Sequence, residues 1–447
     1  MFELPKEVER IMEIITNAGF DAYLVGGCIR DFLMGEKPKD FDVTTDATPE
    51  EIHRVFDSRG EVHLIDTGIK QGTVTAILNH VPVEVTTFRR ESGYSDNRHP
   101  DQVTFSKSIE DDLARRDFTM NAIAYNPRGN GEFVDLYYGQ VDIKNSLVKA
   151  VGDPDERFRE DALRIMRALR FASQLDFEID EATARAMKTL KDSLNNISRE
   201  RIQKELEGIL CGKAVERILR DYREIIEVII PEITPMVGLD QCTPYHIYDV
   251  WEHTIRVVSG ISPEPVLRLA ALFHDIGKPS CFTKDEEGVG HFYGHPEVST
   301  EIARGIMNRL KFDNHSKDKV LTLVRWHDLR PEPTERSLRR VLVKLGKENF
   351  DGWIQIKRAD NRAQSHFVSD RQVVIDQLEE IGHRLIEREG VLSVKSLDIS
   401  GRDLMTLGLK EGPSVGRILK LLLEDVMEQR ISNSHDELIN RAKKYLQ

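Results

Sequence analysis

The chain has 447 residues, 31% of them charged and 40% hydrophobic, which is enough for two to four domains of ordinary globular balance. A formal charge of −13 argues against a protein that coats nucleic acid indiscriminately, so any nucleic-acid surface has to be a local patch. There is no apolar run of bilayer length, and Met1-Phe2-Glu3-Leu4-Pro5-Lys6-Glu7 lacks the charged-then-apolar form of a secretory leader. Cys28, Cys211, Cys242 and Cys281 show neither metal-type nor redox-type spacing, so reduced thiols and a cytoplasmic location are expected, with no membrane or DNA partner.

Residues 3–19 carry helical periodicity (Leu4, Val8, Ile11, Met12, Ile15) and stop at Gly19. A short apolar strand, Leu24-Val25, then meets Gly26-Gly27, where backbone N–H groups can approach a triphosphate without Cβ interference. A helix opens at Ile29-Arg30-Asp31, with Arg30 as an added positive charge. The next strand carries Asp40 and Asp42. Side chains two apart share a strand face, so the carboxylates are expected side by side, with Phe41 and Val43 in the core. Such a pair about 4 Å apart repels by roughly 4 kcal/mol at a protein surface, and divalent cations remove that cost. Oxygen ligands of this kind suit Mg²⁺ bound with substrate phosphates, and two such ions can clamp an in-line phosphoryl displacement.

Thr48-Pro49-Glu50-Glu51 reads as a capped helix start. Two strands follow at 72–78 and 81–88 around Asn79-His80, and Glu84 is a candidate third carboxylate for the same cleft. Residues 89–100 form a polar stretch in which Gly93, Asn97 and Pro100 are expected to prevent regular structure. Leu113-Ala114-Arg115-Arg116-Asp117 with Asn121 places two cations and a carboxylate among apolar residues. A ribose 2′-OH needs a polar partner, and a departing pyrophosphate needs cations.

From Gly152 the period turns helical. Residues 152–171 are expected to form a helix on which Asp161 and Arg164, three apart, share a face, beside Glu160 and Arg167. Cytosine and adenine both present an exocyclic amine beside an unprotonated ring nitrogen; uracil and guanine present the inverse. An Asp accepting from the amine and an Arg donating to the ring nitrogen would admit CTP and ATP and reject UTP and GTP. The plain alternative is an intrahelical salt bridge.

Taken together, these strings resemble the nucleotidyltransferase signature of the polymerase-β superfamily, in the version carried by class II CCA-adding enzymes and bacterial poly(A) polymerases. The resemblance covers nearly the whole chain. It implies an α+β fold: a polymerase-β-like head with an antiparallel sheet (1–150), a helical neck (151–213), a helical body (214–370) and a helical tail (371–447) that clasps the acceptor and TΨC arms of tRNA. It also implies Asp40, Asp42 and Glu84 as catalytic residues, the first two holding Mg²⁺. Gly26, Gly27, Arg30, Arg115, Arg116, Asp117, Asn121, Glu160, Asp161, Arg164 and Arg167 would bind the nucleotide, and residues 89–100 would help the switch from C to A.

Eight of the 14 histidines fall in 241–370. Tyr245-His246 and Trp251-Glu252-His253 lie on one helical pattern, followed by His274-Asp275, His295, His327-Asp328 and Asp360. This order resembles the HD phosphohydrolase superfamily (about 241–365). It implies His253, His274, Asp275 and Asp360 around one metal, with His295 and His327 completing a second. Imidazole and carboxylate ligands on helices suit Mn²⁺, Ni²⁺, Fe or Mg²⁺ better than a closed structural zinc site. The expected activity is template-independent CCA addition to tRNA 3′ ends from CTP and ATP, with an auxiliary phosphohydrolase. The alternatives are a poly(A) polymerase, or a phosphohydrolase whose head only senses nucleotides.

Overall fold

The computed structural model describes residues 4–57, 60–93, 102–128, 131–365, 367, 370–389, 394–427 and 430–446. It divides into two compact units, Met1–Ile229 and Ile230–Gln447.

In the first unit, α1 (Lys6–Asn17) buries Val8, Ile11, Met12, Ile14 and Ile15 and stops before Gly19, whose φ of +92° only glycine adopts readily. β1 (Ala22–Val25) leads into α2 (Gly27–Leu33), and β2 (Asp42–Thr45) pairs antiparallel with β1. Thr48 and Glu51 exchange side-chain and backbone bonds of 3.3 and 2.8 Å, capping α3 (Pro49–Asp57) as expected. β3 (His63–Gly68), β4 (Thr73–Leu78) and β5 (Val81–Thr87) follow. Asn79 and His80 sit at φ +49° and +66°, both left-handed, which is the twist a two-residue hairpin loop requires.

The seven-stranded sheet has the order β3-β4-β5-β2-β1-β8-β9, closed by β8 (Ala124–Tyr125) and β9 (Phe133–Val134). Every pairing is antiparallel except β2 with β5, where Asp42 stands opposite Glu84. The polar stretch after β5 is not uniformly irregular. β6 (Arg89–Ser92) pairs with β7 (Gln102–Phe105), because Arg89, Glu91 and Arg115 make a half-buried ion-pair chain that polarity alone conceals; residues 94–100 lie outside the described part.

α4 (Ile109–Ala114) and α5 (Gly139–Lys144) complete the head. The helix expected at 152–171 is two helices, α6 (Pro154–Glu160) and α7 (Leu163–Leu175). Asp161 leaves helical geometry (φ −136°, ψ 103°), and its side chain accepts from the Leu163 N–H, capping α7 from within the pattern. α7 packs on α9 (Arg199–Leu210) through Met166, Leu169, Ile202 and Leu206, after α8 (Glu181–Leu190). α10 (Val215–Asp221) and α11 (Arg223–Ile229) end the unit.

Among the described residues the second unit is helical apart from a short antiparallel pair of strands, Thr283–Lys284 with Gly290–His291; the first unit has a short parallel pair, Leu147–Val148 with Glu178–Ile179. Its helices are α12 (Val250–Ser259), α13 (Pro265–Phe273), α14 (Lys278–Cys281), α15 (His295–Arg309), α16 (Asn314–Trp326), α17 (Glu335–Leu345), α18 (Phe350–Arg362) and α19 (Arg371–Glu389). Tyr245 and His246 precede α12 in a turn and do not share its pattern. α20 (Gly401–Thr406), α21 (Pro413–Met427) and α22 (His435–Leu446) surround their own apolar cluster. Within it the fully buried Asp425 takes bonds from Arg430, Arg441 and Tyr445. No helix among the described residues is long and apolar enough to cross a membrane.

Candidate active site and candidate metal centre

The β1–α2 turn and the β2–β5 pair build the first site. Gly26 has φ +76° and ψ −136°, and a Cβ there would come within 3.3 Å of Arg116 Nη1 and 3.6 Å of Asp42 Oδ2. The turn thus needs glycine both for its backbone and for the closeness of a cation and a carboxylate. Asp42 opens β2, with Val43 fully buried behind it; Phe41 is only half-buried, because Asp40 and Phe41 precede the strand. Burial, then Glu84 and Asp40, push the Asp42 carboxyl up to about 6, although Arg116 opposes them. Asp40 and Glu84 are exposed, and the three carboxylates do not form a tight ligand cluster among the described residues.

The arginines are held from behind. Asp112, with no exposed surface, accepts from Arg115 (2.9 and 2.6 Å) and from Arg116 (3.0 Å). Burial raises its carboxyl, but Arg116 and Arg115 outweigh it and hold it below the usual range. Sequence reasoning passed over Asp112, although its i+3 and i+4 spacing to the two arginines was a readable signal. Arg30 donates to Asp31 (2.6 Å) and to Asn121 Oδ1 (3.0 Å). Asp117 Oδ2 accepts twice from Arg167 (2.8 and 2.6 Å), and Oδ1 accepts from the Phe118 N–H and from Asn121 Nδ2. Its four acceptor positions are therefore filled, which makes Asp117 an organiser of Arg167 and Asn121.

Asp161 and Arg164 do not pair with each other. Asp161 Oδ2 accepts from Arg201 (2.8 Å), while Arg164 donates to Glu160 (2.6 Å), to the Arg157 carbonyl (3.2 Å) and to the Arg115 carbonyl (2.9 Å). Asp161 keeps acceptor capacity and Arg164 keeps N–H donors beyond those bonds. Arg201 thus supports Asp161.

The second unit gathers the histidines. Nδ1 of His253, His274, His295 and His327 lies 3.3, 2.7, 2.8 and 2.7 Å from the carbonyls of Ala363, Ala271, Phe292 and Val324. A carbonyl only accepts, so each Nδ1 carries a hydrogen and each Nε2 is the ring atom left to ligate a metal. These Nε2 atoms converge on Asp275. Its Oδ2 lies 3.1 Å from His274 and 3.6 Å from His253; its Oδ1 lies 3.4 Å from His295 and 3.6 Å from His327. Asp360 Oδ1 is 3.1 Å from His253, and His295 and His327 face each other at 3.2 Å.

The buried Nε2 atoms of His253 and His274 make no hydrogen bond, and Asp275 Oδ2 is ion-paired with Lys278 Nζ at 2.6 Å. Burial raises the Asp275 carboxyl, but His274 and Lys278 overcome it and hold it well below its ordinary range. Two triads, His253/His274/Asp275 and Asp275/His295/His327, have ligand atoms close enough for one ion each. The donor set is nitrogen and oxygen, convergent and buried, and it fits a divalent transition metal. Two neighbours escaped sequence reasoning although both had a local signal: Lys278, at i+3, stands 2.6 Å from Asp275, and Gln364, at i+4, donates to Asp360 (2.9 Å); His246, noted in the sequence without a role, packs its ring 5.2 Å from that of His253.

Three family models match: the poly A polymerase head domain at 22–149, the probable RNA and SrmB-binding site of polymerase A at 176–237, and the HD domain at 245–363. The chain is 48% identical over 437 residues to the CCA-adding enzyme of Limosilactobacillus reuteri (strain DSM 20016), covering 97% of this chain and 94% of that one. It is 32% identical to the CCA-adding enzyme of Levilactobacillus brevis, covering 98% of each. The structure of the Bacillus stearothermophilus CCA-adding enzyme in complex with CTP matches with a TM-score of 0.69 and 26% identity, covering 99% of this chain and 97% of that one. The fold also matches a Thermotoga maritima CCA-adding enzyme complexed with tRNA (TM-score 0.55, 20% identity, 100% and 97% covered). Glycine turn, Asp42 carboxylate, arginine pair and helical neck thus come with full-length similarity, and the chain belongs to the CCA-adding enzyme family.

Proposed function

We propose that this protein completes tRNA 3′ ends by adding C, C and A from CTP and ATP, without a template, in the cytoplasm. The observation that carries the reading is the junction of head and neck. Asp42, Arg116 and the Gly26 turn meet at one end, while Asp161 and Arg164, fixed by Arg201 and Glu160, keep a free acceptor and free donors at the other. In each round the 3′ oxygen bonds to the α-phosphorus as the bond to pyrophosphate breaks, and the hydroxyl proton goes to water. Asp40 and Asp42, with Glu84 behind, supply the oxygen ligands suited to Mg²⁺, which when bound acidifies the 3′-hydroxyl and neutralises charge on the phosphates. The Gly26 and Gly27 N–H groups with Arg30, Arg115 and Arg116 receive the phosphates, and Asp112 keeps the arginine pair aimed. Asp117 holds Arg167 and Asn121 along the sugar side. Asp161 accepts the base amine and Arg164 donates to the ring nitrogen, the pattern shared by C and A.

Incubation with tRNA lacking CCA, Mg²⁺, CTP and ATP, resolved at single-nucleotide length, tests this. Three additions abolished by Asp42→Ala support it. A long A ladder would transfer the protein to the poly(A) polymerases.

A second activity is favoured by the buried, convergent ligand atoms of His253, His274 and Asp275. In this reading the centre is a metal-dependent phosphohydrolase, holding ions of the Mn²⁺ or Ni²⁺ class through His253, His274, Asp275 and Asp360 and through His295 and His327. Water oxygen bonds to phosphorus, the ester oxygen departs, and the water proton passes to the leaving alcohol. Release of phosphate from small esters by the Mn²⁺-loaded protein, lost on His274→Ala, is its test.

A further inference from the structure

One aromatic ring of the first unit has three cations around it. Phe171 lies on α7, only 7% exposed, and the fully buried Phe118 meets it edge-on, with ring centroids 5.8 Å apart and planes at 82°. Over the Phe171 ring stand the guanidinium carbons of Arg170, Arg30 and Arg167, at 4.1, 5.2 and 5.4 Å from its centroid. The helix itself brings Arg167, Arg170 and Phe171 together, since positions i, i+3 and i+4 share one face. Arg30 arrives from α2, the helix that follows the glycine turn.

Each guanidinium also has a carboxylate of its own: Asp31 for Arg30, Asp117 for Arg167 and Glu205 for Arg170, all at 2.6 Å. Asn121 Oδ1 accepts from Arg30 (3.0 Å), and Gln174 Oε1 accepts from Arg170 (3.2 Å). A Cβ at Gly208 of α9 would come within 2.5 Å of Arg170 Cδ, so the stem of that arginine is packed hard against α9. The three carboxylates belong to different elements, and like charges gathered this closely repel one another. What draws them to a common centre is the ring. Its negative face attracts a cation, and a planar guanidinium stacks on it as well. A leucine or methionine would fill the same core volume and supply none of this attraction.

We propose that Phe171 is a positioning residue for nucleotide addition: its π-face holds Arg30 of the head and Arg167 of the neck at one centre before a nucleotide arrives. This rests on the reading above, in which Arg30 receives the phosphates and Arg167 lies along the sugar. Ordering two long side chains in advance removes that entropy cost from the binding step. Neither arginine reads the base, so the gain is equal for CTP and ATP. The choice between bases stays with Asp161 and Arg164.

Replacing Phe171 in the full chain by mono-, di- and trifluorinated phenylalanine tests this, because fluorine drains the ring face while changing its size and apolarity little. Equilibrium dialysis with labelled CTP and labelled ATP in Mg²⁺, without tRNA, gives the affinities. Single-turnover extension of tRNA lacking CCA gives the discrimination against UTP. One cation over one ring contributes a factor of about two to five, so a roughly five- to tenfold higher Kd is expected with the trifluorinated ring, rising stepwise with fluorine number. The factor should be the same for CTP and ATP, with discrimination against UTP and the amide-exchange pattern of α7 unchanged. Phe171→Leu should weaken both nucleotides at least as much. A Kd that ignores fluorine number, or falls with it, overturns the proposal even where Phe171→Leu is impaired, since that marks a ring that only fills space. Unequal losses for CTP and ATP overturn it too. A wild type that binds neither nucleotide overturns the nucleotide roles of the arginines as well, which separates the two failures.

Discussion

Asp117 and Arg167 offer the sharpest test of how the head is held to the neck. Burial works against the Asp117 carboxylate, yet Arg167 brings it to about 2 from an ordinary 3.8. That difference is worth about 2–3 kcal/mol. The folded-state value is depressed, so the contribution is fully present above pH about 4 and disappears as the pH falls toward 2. Asp117→Asn turns an amide toward the two Arg167 donors and strands the arginine, and a cost of about 2–4 kcal/mol is expected at pH 7. In an Arg167→Met background the same change should cost less than about 1 kcal/mol, since the charge that needed Asp117 has gone. The assay has to look at the right unit. All three tryptophans, Trp251, Trp326 and Trp353, belong to the second one, so their fluorescence is blind to this pair. Amide hydrogen exchange of β1, β8 and α7 across pH 3–7 reports it directly. An equal cost in both backgrounds, or a wild-type advantage that grows on acidification, would refute the reasoning.

Asp42 predicts the opposite trade. Its raised carboxyl makes the charged form a liability, so Asp42→Asn should stabilise the Mg²⁺-free protein at pH 7 by about 2–3 kcal/mol, an advantage that fades below pH about 6, while abolishing addition; denaturation and the tRNA assay on one preparation check both. Gly26→Ala should lose CTP binding, because the φ of +76° strains it and its methyl meets Arg116; equilibrium dialysis with labelled CTP measures this. Arg164→Ala should relax discrimination of CTP and ATP against UTP and GTP, and Arg201→Met should do so more mildly by releasing Asp161; single-turnover incorporation compares them. His295→Ala should lower Mn²⁺ uptake and leave CCA addition intact, as elemental analysis and the tRNA assay will show.

Much of this was readable along the chain because the signals were local. Asn79-His80 announced its turn, Thr48 and Glu51 their cap, and the glycine pair its close approach. Apart from Asp112, whose two arginines are three and four residues on, the larger misses were set by partners distant in sequence. Glu91 looked like loop because its partner Arg115 is 24 residues away, and the pairing turns a polar string into a half-buried strand. The break at Asp161 was hidden because apolar periodicity continues through it; what it lacks is visible only once Leu163 and Arg201 are seen sharing one carboxylate. Gln364 was silent for a different reason: an amide four residues from Asp360 carries no charge to mark the pairing.

The position of Asp275 gives the histidine cluster an electrical property of its own. One of its oxygens belongs to His253 and His274, the other to His295 and His327. Charge drawn to one oxygen thins the density on its twin, so the two halves cannot fill as independent vessels. Lys278, 2.6 Å away, already leans on one side of that balance. A titration of this centre should therefore show two unequal, interdependent steps, with the lysine as the weight that sets which half answers first.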